Sequence, residues 1–99
     1  MTHTLKLHRH VEKQLRRLPA SQQERVIETM RALQAEPYPH GCEHLQDALY
    51  RVRTGEHRIV YAVVEDDVIV VVCRSRRRAE KSYQHLEKLL DQALQEIVS

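Results

Sequence analysis

Three arginines, Arg51, Arg53 and Arg58, crowd the stretch YRVRTGEHRIVYAV at positions 50–63. Five more cations, Arg74, Arg76, Arg77, Arg78 and Lys81, follow in CRSRRRAEKSY, which ends on Tyr83. A guanidinium is a planar, permanently charged fork. It holds phosphate through two parallel hydrogen bonds and stacks on bases. A tyrosine ring offers a face for one splayed nucleotide. Together these residue types describe a grip on an RNA or DNA backbone, with one base on an aromatic.

The elements around them decide whether the charges converge. Period-two patterning predicts strands at about 49–53, 58–64 and 68–74, joined by the turns TGEH and EDD as an antiparallel meander. With TGEH as a four-residue loop, Arg53 lies opposite Arg58 and Arg51 opposite Val60. Side chains alternate across a strand, and opposed residues share a face. The three arginines then occupy one face, and Tyr50, Val52, Ile59 and Tyr61 cover the core on the other. Like charges placed directly opposite destabilise a hairpin. A neutral residue at any of these positions would relieve the repulsion, so the pattern favours an anionic ligand. The last strand of the meander returns Arg74 and its neighbours beside the first cluster.

Earlier in the chain, THTLKLH alternates around Leu5 and Leu7 as a short strand. Val11, Leu15 and Leu18 have helical spacing and stop at Pro19. SQQE reads as a capping box, with Ser21 as cap and Glu24 reaching back. The helix it opens carries Val26, Ile27, Met30 and Leu33 on one face. EPYPHG reads as a loop. From about Ala79, Leu86, Leu90, Ala93 and Ile97 recur at helical spacing. This predicts a C-terminal helix whose stripe packs on the chain's own core, the favoured reading, or meets a partner chain. The expected fold is α+β in the order β-α-α-β-β-β-α, one domain over 1–99: a small antiparallel sheet, an N-terminal helical hairpin and a C-terminal helix.

Composition narrows the class. The formal net charge is only +2, but twelve of the sixteen basic residues are arginine. The two cysteines, Cys42 and Cys73, lack CxxC spacing, which suits a reducing cytoplasm rather than a disulfide framework. The longest apolar run, 68–73, is six residues and too short to span a bilayer. No signal peptide and no membrane partner are expected. His40, Cys42, Glu43 and His44 in HGCEH fit no common zinc spacing, and the carboxylates of EDD suit a turn. Neither a metal nor a cofactor is expected.

The hairpin YRVR…RIVY, the last strand and the two preceding helices resemble the RelE/ParE toxin superfamily over about residues 1–85. That resemblance implies a RelE-like fold. RelE-type members cut mRNA in the ribosomal A site; ParE-type members inhibit DNA gyrase and are not nucleases. The RelE pattern places catalytic residues at Arg51, Arg53, Arg58, Arg77 and Tyr83. Its first two positions are lysines, and here both are arginine, a poor base with a pKa above about 12. Either the surroundings of these arginines compensate, or another residue takes the proton from the ribose 2′-OH. Resemblance to the YoeB branch points to Glu43, upstream of the hairpin. The YoeB His-Tyr ending is missing, with Arg76 and Arg77 in its place. His57 is a second base candidate, since an imidazole titrates near pH 6.5. It joins Arg74, Arg76, Arg78 and Lys81 as an RNA-binding residue.

The expectation is therefore a metal-independent endoribonuclease, the toxin of a type II toxin–antitoxin pair. It would attack the phosphate through the adjacent 2′-OH in the A-site codon and so inhibit translation. Its partners would be a cognate antitoxin, the ribosome and mRNA, with operator DNA reached only through the antitoxin complex. In the alternative to self-packing, the C-terminal stripe would meet a second copy or an antitoxin segment. The alternatives are a ParE-like gyrase inhibitor and a catalytically inactive member that binds antitoxin and operator.

Overall fold

A computed structural model describes residues 3–75 together with residues 88, 90–92 and 95. Over them run β1 (Thr4–Leu7), α1 (Arg9–Arg16), α2 (Ala20–Ala35), β2 (Glu43–Gln46), β3 (Leu49–Thr54), β4 (His57–Val64) and β5 (Asp67–Ser75). The strands form one sheet in the order β1-β5-β4-β3-β2. The α+β class stands, and the sheet departs from expectation in two ways.

First, β1 runs parallel to β5, from Thr4 opposite Asp67 to Leu7 opposite Val70. The sheet is mostly, not wholly, antiparallel. The unbroken apolar run of β5 is buried on both faces, and such a strand needs a partner on each edge. β4 supplies one and β1 the other. Lys6 fixes that register with an ion pair to Asp67 at 3.1 Å. Second, Glu43–Gln46 is a strand where the sequence suggests only a loop. It is a short edge strand with a bulge between His44 and Gln46. Leu45 alone carries an apolar signal there, so no alternation could announce it.

The helices sit on one face of the sheet. Val11 and Leu15 of α1, with Val26, Met30 and Leu33 of α2, pack against Val52, Ile59, Tyr61, Val68, Val70 and Cys73. His8 caps α1 by accepting the backbone N–H of His10 at its Nδ1, 3.1 Å away. The expected capping box on α2 does not form. Pro19 holds the cap position with extended backbone and no side-chain bond, and its carbonyl accepts from Gln23 N–H at 2.9 Å. The helix thus starts at Ala20, which leaves Ser21 inside its first turn and Glu24 beyond it.

The other face has its own apolar layer of Leu49, Val60, Ala62, Ile69, Val71 and Val72. Leu90 packs against it. Positions 88, 90–92 and 95 are helical. The rest of the expected C-terminal helix lies outside the described residues.

Candidate nucleic-acid interface

The β3–β4 hairpin turns tightly. Thr54 and His57 already pair, so the loop is the two residues Gly55 and Glu56. Gly55 has φ +59°, the conformation that a tight hairpin turn demands and that glycine adopts without strain. The register is the one read from sequence: Arg53 opposes Arg58, Arg51 opposes Val60, and Val52 opposes Ile59. On the next strand Arg74 opposes Arg58. Arg53, Arg58 and Arg74 therefore form one lateral row across three adjacent strands. Neighbouring backbones in such a sheet are about 4.8 Å apart. Arg53 is exposed, and Arg58 and Arg74 are half-buried. Neither Arg53 nor Arg74 forms an ion pair with a described residue.

A second row lies alongside. Glu43 on β2 opposes Arg51 on β3, and Arg51 opposes Val60. The Arg51 guanidinium donates to the Glu43 carboxylate. Arg51 is the better buried partner, with 18% of its side chain exposed against 51% for Glu43. The ion pair sets a carboxylate beside the cationic row. That placement depends on β2, so nothing in the sequence pattern could have shown it.

His57 is not part of this face. It pairs with Thr54 on the helical side of the sheet and is 8% exposed. Strand alternation directs it away from its neighbour Arg58, which removes it as a base for a group held on the arginine row. Arg76, Arg77, Arg78, Lys81 and Tyr83 lie outside the described residues. Three of the four tyrosines are occupied elsewhere. Tyr61 is fully buried and donates from Oη to the Pro37 carbonyl at 2.7 Å, and burial pushes its pKa upward. Tyr50 stacks on it with ring centroids 5.9 Å apart, and Tyr38 meets Tyr50 edge-on at 5.0 Å. Among the described residues, no group of three or more His, Cys, Asp or Glu side chains could hold a metal ion. No described helix is long and apolar enough to cross a membrane.

A family model described as the ParE toxin of the type II toxin–antitoxin system, parDE, matches residues 5–81. A Methanocaldococcus jannaschii relative named as a RelE1 toxin is 31% identical over 83 residues, 79% of this chain and 92% of its own. The chain belongs to the RelE/ParE superfamily of type II toxins. Solved RelE structures share its fold. A chain of the archaeal RelE–RelB complex from Pyrococcus horikoshii OT3 superposes with a TM-score of 0.69 at 32% identity, over 80% of this chain and 100% of that one. A chain of the RelBE2 toxin–antitoxin complex from Mycobacterium tuberculosis gives 0.68 at 19% identity, over 79% and 95%. The isolated E. coli RelE toxin gives 0.66 at 18%, over 90% and 97%. At these last two identities the likeness is one of fold.

Proposed function

We propose that this toxin is a RelE-type endoribonuclease that cuts mRNA on the ribosome. The observation that carries the reading is the row Arg53–Arg58–Arg74, flanked by the Arg51–Glu43 pair. Three guanidinium groups on adjacent strands hold a phosphate and neutralise the charge that builds on it during attack. Arg77 helps to neutralise that charge, and Tyr83 stacks the nucleotide or takes the 2′-OH proton. Glu43 is the described group best placed to receive that proton. Arg76, Arg78 and Lys81 hold the flanking backbone. No metal or cofactor enters the scheme. The test is translation of a defined mRNA with purified protein, followed by mapping of 5′ ends. A cut inside the A-site codon supports the reading; arrested translation without a cut removes it.

The partner is an antitoxin, as in the complexes of the P. horikoshii and M. tuberculosis relatives. A segment with apolar and acidic residues would cover the arginine face or displace the final helix, blocking ribosome entry. Operator DNA would be reached through that complex. Co-expression with the neighbouring gene should yield a stable, inactive complex. A protein that stays active when its neighbour is added contradicts this.

The ParE description of the matching family model favours a second reading, inhibition of DNA gyrase. Unchanged supercoiling by gyrase at excess toxin would eliminate it.

A further inference from the structure

A small concavity of about 110 Å³ lies between α2 and the β3–β4 turn, on the side of the sheet away from the arginine row. Gln22, Arg25, Val26, Thr54, Gly55, Glu56 and His57 line it. Its volume matches three or four water molecules at about 30 Å³ each, enough for one tetrahedral oxyanion group.

Its lining is rich in donors. His57 is more than nine-tenths buried, yet its ring makes no hydrogen bond or ion pair with any described residue. Its nitrogens are not sealed from solvent, so the ring can donate or accept within the concavity. Arg25 reaches over the turn because position 55 has no side chain. A Cβ there would come within 3.0 Å of Arg25 Nη1 and 3.3 Å of its Cδ. The turn thus seats the guanidinium at the rim. Thr54 is held by a hydroxyl–hydroxyl hydrogen bond to Thr29 at 2.9 Å. Gln22 contributes an amide from the first turns of α2, where the helix dipole also favours negative charge. The single carboxylate, Glu56, sits on an exposed turn residue and can turn into water.

Thr54 and His57 adjoin Arg53 and Arg58 in the chain and point to the opposite face. The concavity and the arginine row are therefore back to back at one hairpin tip. A nucleic-acid strand rounding that tip would meet both.

We propose that the Gln22–Arg25–His57 concavity is a second oxyanion site, which takes a backbone phosphate of RNA flanking the segment held on the arginine row. The RNA assignment rests on the proposed nuclease function; the oxyanion site itself does not.

The full-length chain is titrated with inorganic phosphate, and separately with a 2′-O-methylated oligoribonucleotide that cannot be cut by 2′-OH attack. The His57 ring and Arg25 side-chain NMR signals are followed. Both probes should shift these signals. Arg25→Gln and Gln22→Ala, exposed positions that should not disturb folding, should each weaken the oligonucleotide about threefold to tenfold. Arg25→Gln should also reduce the slope of log affinity against log salt by about one. Arg53→Thr should leave the inorganic-phosphate shifts intact. If inorganic phosphate moves neither His57 nor Arg25, there is no oxyanion site. If phosphate binds but both variants hold the oligonucleotide within twofold, the site takes free phosphate and its assignment to RNA is wrong. If phosphate still shifts His57 but translation of a defined mRNA with the protein gives no cut, the nuclease reading fails and the oxyanion site survives.

Discussion

The arginines on this hairpin carry a cost that locates their role. Arg53 and Arg58 face each other directly, an arrangement that opposes folding by a few tenths of a kcal/mol to about 1 kcal/mol. Arg53→Thr should therefore raise stability by about 0.5 kcal/mol in urea unfolding while lowering the single-turnover cleavage rate. A variant that loses both stability and activity would show that Arg53 is structural. The proton acceptor is tested by two other positions. Tyr83→Phe keeps the stacking face and loses the hydroxyl. If Tyr83→Phe cuts at near-normal rates and Tyr83→Ala does not, tyrosine only stacks. Glu43→Gln should then be the damaging change, although it also loosens Arg51. A Glu43→Gln rate profile that keeps the wild-type pH dependence would exclude a proton-transfer role for Glu43.

At the scale of elements, turns and buried hydroxyls set the stability of the sheet that carries the site. Glu65 sits in the β4–β5 turn at φ +54°, a conformation glycine adopts without strain. Glu65→Gly should raise stability by about 1 kcal/mol in urea unfolding; an unchanged midpoint would mean that the turn relaxes. Tyr61→Phe should lower it by about 1–2 kcal/mol, because the Pro37 carbonyl loses its buried donor. An unaltered midpoint would mean that water replaces the hydroxyl. These elements were unequally visible in the sequence. The hairpin register was legible because Val52, Ile59 and Tyr61 must all reach one core, and a one-residue slip would expose them. The α2 face was legible because Val26, Met30 and Leu33 keep helical spacing. The β2 strand was not, since one leucine cannot show a period. The parallel partner of β5 was not, because strand order depends on contacts about sixty residues apart, as between Lys6 and Asp67. Of the candidate site, the arginine row could be read from alternation. The Glu43–Arg51 contact came only with β2, and the orientation of His57 required the two-residue turn.

The described residues build a sheet buried on both faces, with the row Arg53–Arg58–Arg74 toward the β3–β4 turn. That burial reaches Cys73, whose thiol is pushed up to about 11 from an ordinary 9.0 by desolvation. A folded pKa above the unfolded one means that the unfolded state loses this proton first. Stability should therefore fall between about pH 9 and 11, by at most about 1.4 kcal/mol per pH unit from this group. In native protein a thiol reagent at pH 8 should modify Cys42, which is half-buried, well before Cys73. Equal rates would mean that the β5 end of the core opens readily. The central claim concerns the charged end, where the outer face passes from apolar residues to the row Arg53–Arg58–Arg74. The most direct test is single-turnover cleavage of an mRNA positioned in the ribosomal A site, comparing wild type with Arg58→Ala, Arg77→Ala and Tyr83→Ala. Loss of one such electrostatic donor should slow the cut by about 10²–10³, with the folded fraction unchanged. Cleavage by all three variants at the wild-type rate would contradict the assignment of this face as the site of reaction.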